Sequence, residues 1–192
     1  MNRSNADGQT TVLETARLRL RHFVPDDAPF ILELVNDPRW LRYIGDRGVR
    51  NLDDARNYIV RGPLDTYSRL GYGLYMVELK DGDVAAGMCG LLKRDYLDAP
   101  DIGFAFLPAH VGKGLAHEAA VGMLGYARSV LRMPRVLAIT NPENEPSIGL
   151  LRKLGFSLER MVVPVGETRE ICLYATAPPQ SGRGNARENP DA

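Results

Sequence analysis

A lysine flanked by two glycines precedes a helical pattern in the segment PAHVGKGLAHEA, residues 108–119. The first turn of a helix carries unpaired N–H groups and a partial positive charge, so it binds an anion without any side chain. Because Gly112 and Gly114 have no Cβ, they let a phosphate approach the main chain closely. We therefore expect a phosphate-bearing ligand at this helix start.

The residues around this loop disfavour two common phosphate-binding motifs. A Walker loop needs glycine at position 107 and Ser or Thr after Lys113, whereas this chain has Leu107 and Gly114. A dinucleotide-binding fingerprint needs glycine at position 117, where the chain has His117. The sequence therefore argues against a P-loop NTPase and against a dinucleotide-binding enzyme.

Hydrophobic periodicity predicts the elements that must position the loop. Leucine alternates with arginine over residues 16–23, which is typical of a strand with one buried face. An aromatic and basic loop, 39–51, separates the first two helices. Further strands are predicted at 72–79, 84–93, 101–107, 136–140, 157–163 and 169–176, and helices at 25–36, 52–61, 115–131 and 146–154.

The order of these elements predicts the fold class. Strand 101–107, helix 115–131 and strand 136–140 make a parallel crossover unit. Together, the predicted strands and helices indicate an α/β (α+β) fold: a mixed, mostly antiparallel sheet of six to seven strands, a central βαβ crossover and helices on both faces. We expect one domain over residues 12–177, between disordered tails at 1–11 and 178–192.

Composition narrows the classes of partner. The chain has 24 Lys and Arg against 24 Asp and Glu, so no global field attracts a nucleic acid or an anionic membrane. No apolar run is long enough to span a membrane, and the first residues lack the core of a signal peptide. Cys89 and Cys172 have no metal-ligand spacing, and we expect both to fill the core. The expectation is a cytoplasmic monomer or homodimer without a metal.

Two segments, in the right order, resemble the GNAT N-acetyltransferases. VGKGLA, residues 111–116, resembles that family's acetyl-CoA pyrophosphate loop, Gln/Arg-x-x-Gly-x-Gly/Ala, with Val111 in the Gln/Arg place. NEPSIGLLRKLGF, residues 144–156, resembles its Asn-x-x-Ser…Lys-x-Gly-Phe segment. Together with TARLRLR at 15–21 and DIGFAFLP at 101–108, the layout is similar to the ribosomal-protein N-terminal acetyltransferase branch, the RimJ/RimL type.

The resemblance implies an enzyme that moves acetyl from acetyl-CoA, its cosubstrate, to a primary amine by direct attack in a ternary complex, without a metal. The acceptors it suggests are a protein N-terminal α-amine, a small amine or amino acid, or an aminoglycoside. Two alternatives remain open. One is a non-catalytic module of the same fold that binds or senses acyl-CoA, and the other is a nucleotide-phosphate binder unrelated to CoA.

The resemblance also assigns cofactor-binding positions. Pantetheine is expected along the edge of strand 101–107, where an N–H polarises the thioester carbonyl. The backbone of the loop is expected to hold the pyrophosphate, whereas the Lys113 ammonium has no required role. The positions implied are Phe106, Leu107, Val111, Gly112, Lys113, Gly114, Leu115, Ala116, Asn144 and Ser147.

Two residues are candidates for proton transfer. Many relatives carry a tyrosine four residues after Ser147 to protonate the thiolate, but this chain has Leu151, so Ser147 is the predicted acid. Either Ser147 or Asn144 also suits the N-terminal cap of a helix. Asp101 takes the place of the glutamate that acts as base through water in some relatives, although a lone carboxylate there is also commonly structural. Glu118 is expected only to favour the helix N-terminus by its charge.

The acceptor is the part of the reaction on which the sequence says least. At pH 7 roughly one α-amine in seven is neutral, against roughly one lysine side chain in 2,500, so an α-amine asks little of a base. Trp40, Tyr43 and Tyr72 are predicted to line the acceptor pocket, although aromatic residues also fill cores. Arg47 and Arg50 would attract an acidic acceptor.

Overall fold

The computed structural model of the protein describes residues 3–4 and 10–177, and across them one sheet runs in the order β1-β2-β3-β4-β5-β6-β7-β9-β8. Every neighbouring pair is antiparallel except β6 and β7. The strands are β1 Arg3–Ser4, β2 Thr10–Glu14, β3 Leu18–Arg21, β4 Leu74–Leu79, β5 Val84–Leu92, β6 Asp101–Phe106, β7 Leu137–Thr140, β8 Phe156–Val162 and β9 Ile171–Thr176.

The mixed, mostly antiparallel sheet predicted from the sequence is confirmed, and all seven predicted strands are present. Two strands were not predicted. β2 and the two-residue β1 extend the first edge of the sheet. A search for apolar alternation misses them because β1 is short and polar, and because the two apolar residues of β2, Val12 and Leu13, are adjacent. β2 begins at Thr10, inside the segment expected to be a tail. The other residues of the expected tails lie outside the described ones.

Six helices flank the described part of the sheet: α1 Ala28–Val35, α2 Pro38–Tyr43, α3 Leu52–Ile59, α4 Asp65–Leu70, α5 Leu115–Ser129 and α6 Glu145–Lys153. A π-helical turn, Val60–Leu64, joins α3 to α4. The segment 39–51, predicted as a loop, contains most of α2. That prediction was wrong because Asp37 and Pro38 begin a helix as well as ending one: the Asp37 side chain accepts a hydrogen bond from the Arg39 N–H, and Pro38 takes the first turn. None of these helices is both long enough and apolar enough to cross a bilayer.

Each face of the sheet carries its own core. Tyr75 and Val77 of β4 face α5 and α6, whereas Met76 between them faces α1 and α3, as the two-residue period of a strand requires. Cys89 lies in the first of these cores with no exposed surface, and Cys172 is buried beside it. The helices on both faces therefore match the expected architecture.

The parallel pair β6 and β7 is joined at one end only. The register holds a single pair, Asp101 with Leu137, where the Leu137 N–H donates to the Pro100 carbonyl at 2.9 Å. Beyond this point the two strands diverge, and β6 keeps only its antiparallel partner β5. The central crossover thus leaves a cleft at the carboxyl ends of β6 and β7.

Candidate active site

A cavity of about 1250 Å³ occupies this cleft, and we call it the main cavity. It brings together the end of β6, the glycine loop, and the starts of α5 and α6, with α2 on its far wall. Most residues predicted to bind cofactor or acceptor line it: Trp40, Tyr43, Phe106, Val111, Gly112, Gly114, Leu115, Ala116, Asn144 and Ser147.

Four predicted residues do not line the main cavity: Leu107, Lys113, Asp101 and Tyr72. Leu107 is buried in the core under α1 and α3, and its N–H donates to the Ala86 carbonyl at 3.0 Å. The expectation that Leu107 offers an N–H to the cleft is therefore revised. Lys113 is exposed, which agrees with a loop that acts through its backbone.

Alternate residues of β6 direct their backbone N–H and C=O groups toward the cleft. In an antiparallel ladder the N–H and C=O of one residue point to the same neighbouring strand, and those of the next residue point to the opposite side. Because the Leu107 N–H points to β5 and the Pro100 carbonyl points to β7, the backbones of Phe104 and Phe106 face the diverging strand. These two residues offer hydrogen-bonding groups that no strand pairs.

Two left-handed glycines shape the loop before α5. Gly112 has φ 79° and Gly114 has φ 74°, in the region that L-residues rarely adopt. Gly114 is the N-cap residue of the 15-residue helix α5, and no side chain caps that helix end. A Cβ at Gly112 would meet nothing within 4 Å, so backbone conformation rather than packing requires glycine there. The open N–H groups fit the anion that the sequence predicted.

A contact that the sequence did not predict holds this helix start in place. The Glu118 carboxylate accepts hydrogen bonds from the Thr15 hydroxyl at 2.5 Å, the Arg17 N–H at 2.8 Å and the Arg17 Nε at 2.6 Å. Arg17 also donates to the Lys113 carbonyl at 3.0 Å. Glu118 was expected to act only through its charge; it instead ties α5 and the glycine loop to the turn before β3.

This contact sets the protonation of Glu118. Partial burial alone would raise the pKa of its carboxyl, but the hydrogen bonds from Thr15 and Arg17 outweigh burial and hold the pKa below its ordinary value. Glu118 is therefore ionised at neutral pH. Arg17 lines the main cavity with about half of its side chain exposed, which adds a cation beside the helix start.

At the start of α6, Asn144 and Ser147 have different roles. Asn144 is the N-cap, and its side-chain oxygen accepts from the Ser147 N–H at 3.2 Å. Capping is thus done by Asn144, and the Ser147 hydroxyl has no hydrogen-bond partner within the described residues. Leu151, where many relatives have a tyrosine, is buried in the core. Ser147 therefore remains free to contact a ligand in the main cavity.

His110 is a further polar residue of the cavity wall, and no sequence motif predicted it. It ends the short 3-10 turn Pro108–His110 between β6 and the loop. Its Nδ1 is buried without a hydrogen-bond partner among the residues that the structure describes. A buried polar atom of this kind is costly unless a ligand or solvent pairs it, which makes His110 a candidate ligand contact.

Asp101 lies apart from the cavity wall. Its carboxylate is almost fully buried and accepts a hydrogen bond from the Arg94 Nε at 2.9 Å. Burial raises the pKa of Asp101, and the Arg94 guanidinium opposes that rise. Tyr72 lies near this carboxylate rather than near the loop. The structure thus pairs Asp101 with Arg94, and its role as a base stays a prediction.

The chain is similar to known proteins in both sequence and structure. The family model "Acetyltransferase (GNAT) domain" matches residues 17–157. The chain is 30% identical over 152 residues to a Bacillus licheniformis protein named uncharacterized N-acetyltransferase p20, covering 78% of this chain and 84% of the relative. It is 27% identical over 143 residues to the spermidine N(1)-acetyltransferase of Escherichia coli (strain K12), covering 74% of each.

A solved structure shares the fold at low identity. RimL, a ribosomal L7/L12 alpha-N-protein acetyltransferase, matches with a TM-score of 0.76 over 91% of this chain and 98% of its own, at 15% identity. A likeness at this identity concerns the fold. The family match therefore agrees with the fold, the glycine loop and the diverging strands β6 and β7.

Proposed function

This chain belongs to the GNAT acetyltransferase family and is an N-acetyltransferase, and from that premise we propose that it acetylates the α-amine of an amino acid or a protein N-terminus, with acetyl-CoA as donor. The family resemblance predicted from residues 111–116 and 144–156 is confirmed by the family match. The finer RimJ/RimL-type assignment is supported by the shared fold with RimL.

The observation that carries the proposal is the main cavity itself, because it joins two features that acetyl-CoA requires. Gly112 and Gly114, with the first N–H groups of α5, form a backbone cradle for the pyrophosphate. The unpaired edge of β6 at Phe104 and Phe106 suits the amides of pantetheine. When bound, acetyl-CoA supplies a thioester whose carbonyl carbon bonds to the amine nitrogen as the C–S bond breaks and the thiolate takes a proton.

The chain's own groups act on that exchange in two places. An N–H on the β6 edge, from Phe104 or Phe106, donates a hydrogen bond to the carbonyl oxygen as negative charge grows there. At α6 the Ser147 hydroxyl, which has no partner within the described residues, donates toward the sulfur. Since a thiolate is already a good leaving group, Ser147 needs to contribute little.

The choice of an α-amine follows from the carboxylates at the cavity. Three carboxylates line it. Glu145 is exposed to solvent, and the two partly buried ones are occupied: Asp37 accepts from the Arg39 N–H, and Glu118 accepts from Thr15 and Arg17. A lysine side chain, with roughly one molecule in 2,500 neutral at pH 7, needs a strong base, whereas an α-amine does not. The described wall of the main cavity is therefore better suited to the weaker base demand of an α-amine.

The test is calorimetric titration of the protein with acetyl-CoA, with ATP and NAD as controls, followed by an assay for thiol release with a panel of amines. We expect micromolar binding of acetyl-CoA alone, and thiol release with α-amines. Binding without thiol release from any amine would favour an acyl-CoA sensor instead. Tighter binding of ATP than of acetyl-CoA would overturn the assignment of the loop.

A further inference from the structure

A second cavity, of about 920 Å³, lies beside α3, the π-helical turn and α4, and its walls differ from those of the main cavity. We call it the basic cavity because four cationic side chains line it against two carboxylates, those of Asp54 and Asp95. The cations are Arg47, Arg61, Arg69 and Lys93. Arg47 was noted from the sequence as able to attract an acidic acceptor, whereas Arg61 was not.

Two of the four cations are already engaged. Arg69 pairs with Asp65 at 2.7 Å, and Lys93 donates to the Leu97 carbonyl at 3.0 Å. Within residues 10–177, neither Arg47 nor Arg61 has a carboxylate at salt-bridge distance. Two guanidinium groups at this cavity are therefore free to bind an anion, and a planar fork of N–H donors matches a carboxylate well.

A neutral donor lines the same cavity. The side chain of Tyr58 lines the basic cavity, and its hydroxyl makes no hydrogen bond within the described residues. Burial raises the pKa of Tyr58, and the nearby Arg47 opposes that rise. The phenol therefore keeps its proton at neutral pH and can donate it to an anion held by Arg47.

The basic cavity adjoins the β6 strand that borders the main cavity. Leu74 of β4 is opposite Gly90 of β5, which is opposite Gly103 of β6. A Cβ at Gly103 would lie 2.8 Å from Leu92 and 3.5 Å from Leu74, both of which line the basic cavity. Ala105, two residues further along β6 and on the same face of the sheet as Gly103, lines the main cavity. An acceptor that lies along this face of β6 can therefore place its amine in the main cavity and its remaining atoms at the basic cavity.

We propose that the basic cavity binds a carboxylate of the acceptor, so that the enzyme's substrate is a primary amine that also carries a negative charge. This rests on the proposed function and narrows it to one charge class. A polyamine, such as the spermidine in the name of the Escherichia coli relative, would bring its own cations against Arg47 and Arg61. Like charges there would disfavour its binding.

The experiment compares acceptors that differ only in charge. Wild type, the double variant Arg47→Gln/Arg61→Gln and the control Arg128→Gln, an exposed change on α5 outside both cavities, are assayed for thiol release. The acceptors are Ser-Glu-Ala amide against Ser-Gln-Ala amide, free glutamate against its diamide, and spermidine. The peptide pair and the glutamate pair distinguish a protein N-terminus from a free amino acid as the source of the carboxylate.

We expect wild type to favour the acidic member of at least one pair by about tenfold in kcat/KM. The double variant should lose about tenfold for that acceptor and less than threefold for its neutral partner, while the control keeps the preference. Added salt should narrow the preference, because exposed charges are screened. Better turnover of spermidine than of the acidic amines, or an equal loss for acidic and neutral acceptors, would overturn the proposal.

A binding measurement separates this proposal from the proposed function. If no amine releases thiol, the catalytic proposal fails. Calorimetry with N-acetylglutamate and N-acetyl-Ser-Glu-Ala amide on the CoA-saturated protein then tests separately whether the basic cavity binds a carboxylate. Binding of either probe that is lost in the double variant and kept in the control upholds the site. No binding of either probe to wild type overturns it.

Discussion

The main cavity and the basic cavity are formed by different parts of the chain. The main cavity offers backbone: the N–H groups after Gly112 and Gly114, and the edge of β6 at Phe104 and Phe106. The basic cavity offers side chains, the guanidinium groups of Arg47 and Arg61 and a phenol. In our proposals, one ligand is recognised by main-chain geometry, and the other by residue type.

This difference explains why one site can be recognised from the sequence and the other cannot. Backbone recognition depends on chain conformation, and left-handed glycines before a helix leave a short local signature. Side-chain recognition depends on which residues the fold brings together, and single substitutions change it. We expect the donor to be common to relatives such as the N-acetyltransferase p20, and the acceptor to be particular to this chain.

The strongest test of backbone recognition is Gly114→Val. A non-glycine residue at φ 74° costs about 1–2 kcal/mol, and its side chain would occupy the space that a phosphate needs. We expect acetyl-CoA affinity to fall more than 100-fold by calorimetry. Lys113→Ala, one residue away, should lose less than threefold. Equal losses in the two variants would mean that the lysine ammonium, and not the main chain, binds the phosphate. A melting curve of each variant shows whether it is folded.

A smaller effect is expected where a side chain supports the backbone. Glu118→Gln keeps the size of the side chain but removes the charge that holds Arg17, so we expect a fall in acetyl-CoA affinity of about five- to tenfold. Charged hydrogen bonds of this kind contribute about 1–2 kcal/mol, which lowers Tm by about 3–6 °C for a domain of this size. Glu143→Gln, whose exposed carboxylate pairs with exposed Arg42, should change neither value.

The pH dependence of this variant sharpens the argument. The folded pKa of Glu118 is below its ordinary value, so the ionised contact stabilises the fold above the unfolded pKa and is lost as pH falls through the folded pKa. The Tm difference between wild type and Glu118→Gln should be full near pH 7 and shrink below about pH 4.5. A difference that stays constant on acidification would show that the charge of Glu118 is not responsible.

Ser147→Ala tests the one free hydroxyl proposed to act in the main cavity. Because thiolate is a good leaving group, we expect kcat to fall about tenfold or less, with acetyl-CoA affinity within twofold of wild type. Steady-state kinetics and calorimetry separate the two effects. Ser157→Ala, at an exposed position of β8, is the matched control. Lost affinity with unchanged kcat would make Ser147 a binding residue alone.

The smallest effect is expected from the cysteines, which face neither cavity. Burial raises the pKa of Cys89 to about 12, and burial also raises the pKa of Cys172. The thiolate is the reactive form, so neither residue should react with a disulfide reagent in the folded protein at pH 7.5. We expect no thiol signal before denaturant is added and two thiols per chain afterwards. A signal from the folded protein would show that the core that holds both cysteines opens.

Much of the fold followed from local patterns, because burial imposes a period on each element separately. Alternation in residues 16–23 predicted β3, and helical spacing after Gly114 predicted α5. β2 was missed because its two apolar residues, Val12 and Leu13, are adjacent and show no such period. The short helix α2 was missed because Asp37 and Pro38 were interpreted only as a helix end.

The sequence by itself determined the glycine loop, a capped helix start at Asn144 or Ser147, and the seven strands and four helices that carry a clear period, since each depends on residues close together in the chain. The tertiary structure alone decided that β6 and β7 diverge after Asp101, that Glu118 meets Arg17, and which arginines face the basic cavity. Arg17 and Glu118 are 101 residues apart. Such contacts arise when distant elements bury their apolar faces together, and no local spacing records which partners that burial selects.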